Sequence, residues 1–132
     1  VPSFVDAALA NEPLLVHAPG TQSRTYLHVR DAARYLWELL SHHQGGADLV
    51  NVGSSQQSSA SELANLVCKL TGSKSEIRVV DAQPLFPDGF VEVRNRFPCC
   101  KRLHERVDTW TLLSLDQIIL DAVAHRRGQI DS

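Results

Sequence analysis

The sequence predicts an α/β fold, a small mixed domain of helices with a β-hairpin and short strands. Three observations carry it: apolar residues recur at helical spacing in several segments, two of those segments open on a Ser-x-x-Glu/Gln capping box, and short β-rich runs bounded by Pro or Gly lie between them. At 132 residues the chain is long enough to bury one hydrophobic core without disulfide staples.

Pro2 suits the first turn of a helix over 2–10, where its missing N–H costs nothing; Phe4, Val5, Ala8 and Leu9 form the stripe and Asn11-Glu12-Pro13 ends it. Leu14-Leu15-Val16, closed by Pro19-Gly20, is expected as a strand, and Arg24 to Val29, rich in β-formers, as its hairpin partner. Asp31 stands where an N-cap belongs, ahead of Ala33, Leu36, Trp37 and Leu40, in a helix reaching His42 and closed by Gly45-Gly46. Asp48 to Val52 has too little polar alternation for a surface strand and calls for cover on both faces.

Ser59 and Glu62 cap a helix carried by Leu63, Leu66, Val67 and Leu70, with Gly72 as its stop. Ile77 to Val80 is another strand, and 81–89, with two Pro, a loop. Residues 98–107 form a short helix on Cys100, Leu103 and Val107. Ser114 and Gln117 cap a final helix on Leu115, Ile118, Ile119, Ala122 and Val123, ending near Arg126-Arg127. One domain over 1–127 with a frayed tail at 128–132 is the expected organisation.

With 13 Lys+Arg against 15 Asp+Glu and a net charge of −2, the chain lacks the basic excess of a nucleic-acid binder. Apolar runs such as Ile118-Ile119-Leu120 are far short of the ~20 residues that cross a bilayer. Val-Pro-Ser-Phe-Val-Asp has no signal-peptide pattern, so a soluble, cytoplasmic protein is expected. The three Cys include the adjacent pair Cys99-Cys100 and no CxxC, which suits free thiols in a reducing compartment. A chain that opens on Val1 and contains no Met is expected to be part of something longer.

Several residue types that often carry chemistry have plainer readings here. His42-His43 sits at a helix C-terminus with no third ligand spaced to complete a metal site. Cys68 lies among Leu66, Val67 and Leu70 and reads as core, and Tyr26 as packing. Ser54-Ser55 is a turn, with no Gly-x-Ser-x-Gly elbow around it. No independent catalytic constellation and no metal site is expected.

One ordered set of motifs remains: Pro2-x-Phe4, Ala8-Leu9-x-Asn11-x-Pro13-Leu14, Gly20-x-Gln22-x-Arg24-x-Tyr26-x-His28-Val29-x-Asp31, Asn51-Val52-Gly53-Ser54, Ser59-x-x-Glu62-Leu63-Ala64 and Leu70-Thr71-Gly72. In this order they resemble the C-terminal half of the extended short-chain dehydrogenase/reductases, and more narrowly the NAD-dependent nucleotide-sugar epimerase, dehydratase and decarboxylase family. The likeness runs through residues 1–80 and more loosely through 94–125.

The resemblance implies a function divided in two. In that family a Rossmann domain binds NAD(P) through a Gly-x-x-Gly-x-x-Gly turn and works with a Tyr-x-x-x-Lys pair. Neither is present: Gly20, Gly45, Gly46, Gly53, Gly72, Gly89 and Gly128 never take that spacing, and Tyr26 and Tyr35 are followed four residues on by Arg30 and Leu39. No cofactor site and no catalytic residue is therefore expected in this chain, which would be inactive alone. What the resemblance assigns is the grip on a nucleotide-diphosphate sugar. Arg24 matches an arginine that contacts phosphate or nucleoside, Gln22 a polar position of the same loop, and Arg96 a second arginine ahead of Pro98. Cys99-Cys100 replaces the family's Asp-Ile, and Trp110 lies in a Gly-Trp-x-Pro region without its Pro, so Arg94 is the alternative to Arg96. The partner would be a Rossmann domain or, for a free-standing interaction module derived from such an enzyme, a second copy of the chain, covering Leu36, Trp37, Leu40, Val50 and Val52.

Overall fold

A computed structural model of the chain describes residues 1–42, 45–81 and 93–130, with 129 and 130 described by their backbone alone. Its elements run α1 (Pro2–Ala10), β1 (Leu14–His17), β2 (Ser23–Thr25), α2 (Val29–Ser41), β3 (Gln57–Ser59), α3 (Ala60–Thr71), β4 (Ile77–Val80), β5 (Asn95–Arg96), α4 (Lys101–His104) and α5 (Leu115–Ile130). The mixed α/β class is as the sequence predicts. All of the 81–89 loop but Asp81, and residues 131–132 of the tail, lie outside the described residues.

α1 carries Pro in its first turn and closes on Asn11 in the left-handed region. Val5 and Ala8 face inward from it. β1 alternates buried Leu14 and Val16 with outward Leu15 and pairs in parallel with β4, Leu14 opposite Ile77 and His17 opposite Val80. α3 has both halves of the expected capping box: Ser59 Oγ accepts from the Glu62 N–H at 3.1 Å, and Glu62 accepts from the Ser59 N–H at 2.8 Å. The Ser114/Gln117 box holds α5 the same way. These five elements enclose one dry core of Val5, Ala8, Leu14, Val16, Leu63, Ala64, Val67, Ile119 and Val123. A bidentate ion pair from Arg126 to Asp6 clamps α5 on α1 at the surface.

The expected 14–29 hairpin does not form. β1 and β2 lie in different sheets, and β2 pairs antiparallel with β3 and parallel with β5. The turn between them explains why. Gly20 has φ +77°, and a Cβ there would stand 2.4 Å from Ser61 Oγ, so the chain tucks against the start of α3. The Gly20 and Gln22 carbonyls accept from the Ser61 and Ala60 N–H groups, which draws β2 toward α3 and away from β1.

Four further boundaries differ. Asp48 to Val52 is not a strand, because no segment among the described residues offers it a ladder; it runs instead along 98–107, with Asn51 Nδ2 on the Cys99 carbonyl and Arg102 on the Leu49 carbonyl. The 98–107 helix contracts to α4, although Leu103 and Val107 are buried as expected. α2 starts at Val29, with His28 and not Asp31 as its cap. α5 continues through Ile130, past the expected end near Arg126-Arg127.

A second, smaller core forms around Tyr35, Leu103 and Val107, with Leu27, Leu39, Val50, Val52, Trp110 and Leu112 packed on it. Trp110 organises it. Asp31, Arg34 and Tyr35, one helical face at i, i+3 and i+4, all engage that indole: Asp31 accepts from Nε1 at 3.2 Å, the Arg34 guanidinium lies 4.0 Å over the ring, and the Tyr35 ring centroid is 4.1 Å away. The second Asp31 oxygen accepts from the Leu113 N–H at 2.9 Å.

Candidate functional site

The sequence motif around Gln22 and Arg24 leads to the three-stranded sheet β3-β2-β5. Arg24 sits mid-strand in β2 with Ser58 opposite on one side and Arg96 opposite on the other. The two arginines, 72 residues apart in sequence, are thus direct neighbours across a parallel pair. Strands in a sheet lie about 4.8 Å apart, and like charges placed directly opposite cost up to ~1 kcal/mol. Guanidinium groups are planar, permanently charged donors suited to phosphate or carboxylate oxygens.

Arg94 stands one residue before β5. Its carbonyl accepts from the Ser23 N–H at 2.7 Å and from Arg24 Nη1 at 3.3 Å, and the same Nη1 donates to the Ser23 carbonyl at 2.8 Å. One edge of the Arg24 guanidinium therefore ties β5 to β2, and the side chain is held rather than swinging in solvent. Arg94 and Arg96 are exposed.

Gln22 is 8% exposed. Its Nε2 donates to the His17 carbonyl at 2.9 Å, which fixes the amide orientation, while Oε1 is buried without a partner among the described residues. Gln22 stands behind Arg24 and braces the turn out of β1. Gln22, Arg24, Arg94 and Arg96 therefore converge on one sheet, with Gln22 as an inner brace and the arginines outside.

Tyr26 packs against the main core, and burial raises its phenol above the usual value despite the pull of Arg24 in the other direction. Cys68 is likewise pushed up by burial, and so is Cys100. His42 Nδ1 lies 2.9 Å from the Glu38 carbonyl at the end of α2; His43 lies outside the described residues.

Three polar residues of this sheet escaped the sequence reading. Ser23 Oγ lies 2.8 Å from the Asn95 amide and 3.1 Å from the Gln57 amide, linking all three strands. A hydroxyl donates one proton, so one of the two amides presents its NH₂ to Ser23. Neither Gln57-Ser58-Ser59 nor Asn95-Arg96 carries β-propensity, so nothing in the sequence marks them as strands.

Residues 1–53 match the family model described as "NAD dependent epimerase/dehydratase family". UDP-N-acetyl-alpha-D-glucosaminuronate decarboxylase of Bacillus cytotoxicus is 31% identical over 123 residues, which is 93% of this chain and 38% of that protein. UDP-glucuronic acid decarboxylase 6 of Arabidopsis thaliana is 34% identical over 84 residues, 64% of this chain and 24% of its own length. Among solved structures, UDP-glucose 4-epimerase of Thermotoga maritima shares the fold with a TM-score of 0.79 at 21% identity, over 96% of this chain and 38% of that one. An epimerase of Methanothermobacter thermautotrophicus does so with a TM-score of 0.84 at 16% identity, over 98% and 37%. The chain thus spans less than two fifths of the length of each of these relatives. By sequence, the relatives of this chain are nucleotide-sugar enzymes, residues 1–53 carry the NAD dependent epimerase/dehydratase match, and the solved structures share its fold.

Proposed function

We propose that this chain is the substrate-binding, C-terminal portion of an NAD(P)-dependent nucleotide-sugar epimerase/dehydratase, without the half that binds cofactor and carries out hydride chemistry. Residues 1–127 hold the diphosphate of a nucleotide sugar between Arg24 and Arg96, with Arg94 flanking and Gln22 bracing the turn. The observation that supports this reading is the pairing of Arg24 with Arg96 in register, two permanent cations on neighbouring strands. The names of relatives, several of them enzymes of UDP-linked uronic acids, support a nucleotide-diphosphate sugar as the ligand. Three free cysteines suit the cytoplasm.

Titration of the chain with UDP-glucuronate, UDP-glucose, dTDP-glucose and a GDP-sugar, followed by calorimetry, tests it. Saturable binding that Arg24→Ala and Arg96→Ala each weaken about tenfold or more is expected, since one charge-assisted hydrogen bond is worth ~1.5–3 kcal/mol. Absence of saturable binding, or binding indifferent to Arg24→Ala, overturns it.

A second reading, a non-catalytic module that pairs with a copy of itself, is favoured by α2. Its apolar stripe points outward: Leu36 is 53%, Trp37 70% and Leu40 73% exposed. Beside the stripe lies a groove of about 960 Å³ lined by Leu36, Leu39, Leu40, Val50, Val52 and Arg106. In the first reading this face is where a Rossmann domain rests. Sedimentation separates the two: a concentration-dependent dimer that Leu40→Lys returns to monomer supports the module, and a monomer that binds nucleotide sugar supports the substrate-binding portion.

A further inference from the structure

The histidine at the start of α2 holds two elements at once through its two ring nitrogens. His28 is 8% exposed. Its Nδ1 accepts from the Arg30 N–H at 3.1 Å and so caps α2, and its Nε2 lies 3.2 Å from Asp121 Oδ2 on α5. An Nδ1 that accepts a hydrogen bond carries no proton, so the ring is in its Nε2–H tautomer and donates to Asp121. The charged groups set around it are Asp121 from α5 and Arg30 from α2, whose Nη2 is 3.7 Å from the same carboxylate oxygen. The neighbouring Asp31 is turned away onto Trp110 and Leu113.

We propose that His28 is a protonation-dependent joint between α2 and α5, capping α2 when neutral and releasing that cap when charged. The two contacts differ in what they ask of the ring. The cap needs Nδ1 bare, whereas Nε2–H donates to Asp121 whether or not Nδ1 carries a proton. On protonation Nδ1–H faces the Arg30 N–H, donor against donor, and the cap is lost. The contact to Asp121 becomes a full ion pair and keeps the ring on α5. Protonation therefore moves the allegiance of His28 from the first turn of α2 to α5. That turn begins with exposed Val29, so loosening it acts on the helix that presents Leu36, Trp37 and Leu40.

The test is a pH series on the ¹⁵N-labelled chain that follows the imidazole nitrogens of His28 and hydrogen exchange of the Arg30 amide. Arg30 protection is expected to fall about fivefold with the same midpoint as the imidazole, the loss of one N-cap. In His28→Asn, which keeps a capping side chain without titrating in this range, that protection stays flat. In Asp121→Asn, which leaves the Nδ1 cap in place, the Arg30 amide still follows the imidazole. An Arg30 amide that ignores the His28 titration, or that responds equally in His28→Asn, overturns the joint. The wild-type titration alone decides the matter if either variant fails to fold.

Discussion

The two cores of this molecule are held together by different physics. Around α1, β1, α3, β4 and α5 the buried members of the core are all aliphatic, with Val5, Leu14, Val16, Ala64, Val67 and Ile119 fully closed from solvent. Around α2 and α4 the buried apolar residues among those described are Tyr35, Leu103 and Val107, and polar contacts complete the structure: buried Asp31 to Trp110 and Leu113, Arg106 to Asp48, Arg102 to the Leu49 carbonyl. The first region is a finished core. The second is finished on one side only, since the other flank of α2 presents its apolar stripe to solvent. Apolar packing is non-directional and tolerates redesign, whereas a polar framework fixes geometry and fails when one member is removed.

Cavity formation distinguishes the regions most strongly. Ile119 and Leu103 are both fully buried, so area bookkeeping gives them equal value. Ile119 is enclosed on all sides, and Ile119→Ala leaves a void that rigid neighbours cannot fill, at a cost near 4 kcal/mol. Leu103 belongs to the smaller cluster that borders the open groove, where relaxation is easier, and Leu103→Ala is expected to cost about 2–3 kcal/mol. Urea denaturation of both variants measures the difference. Equal values would show that the second core is as closed as the first.

The next effect tests the polar framework. Asp31→Ala strips the acceptor from Trp110 Nε1 and from the Leu113 N–H together, and is expected to cost about 2 kcal/mol. Near-ultraviolet circular dichroism should show the loss at the tryptophans, with α1, α3 and α5 unchanged in hydrogen exchange. Asp31→Asn keeps one acceptor and should fall between. A loss spread evenly over both regions would mean that the chain unfolds as one unit and that the two cores are not separable.

The same division governs how much could be read from sequence. In the first region each element depends on local rules: Pro2 at a first turn, Ser59 with Glu62, Ser114 with Gln117, the short apolar run Leu14-Leu15-Val16 between Pro13 and Pro19-Gly20. All of these read correctly. The hairpin failed because its two strands obey local rules equally well in separate sheets, and the choice rests on Gly20 meeting Ser61 across the fold. Asp31 failed for a related reason. A carboxylate at a helix start satisfies the capping rule on paper, but its partners, Trp110 and Leu113, lie 79 and 82 residues away, where no local pattern points. At the candidate site, Gln22, Arg24, Arg94 and Arg96 were reachable only through an ordered motif set. Their convergence on β2 and β5 depends on strand pairing between segments with no β-propensity, and the Ser23, Gln57 and Asn95 contacts had no sequence signal at all.

The smallest effect belongs to the most legible feature. Ser59→Ala removes the oxygen that accepts from the Glu62 N–H and is expected to cost about 1 kcal/mol at neutral pH, against the larger losses above. Its pH dependence tells a cap from a generic surface change. Hydrogen bonds from the Ser59 backbone and side chain hold the Glu62 carboxyl below the ordinary glutamate value of 4.5. A carboxyl depressed in the folded state stabilises the fold above its unfolded value and loses that contribution as pH falls through the lower, folded value. Glu62→Gln should therefore be destabilising at neutral pH and converge on the wild type in acid, below 4.5. The convergence should appear in the exchange of α3 amides and leave α2 untouched, because the box sits in the closed region. A Glu62→Gln effect that stayed constant across this range would place the stabilisation in helix propensity instead of the charged half of the box.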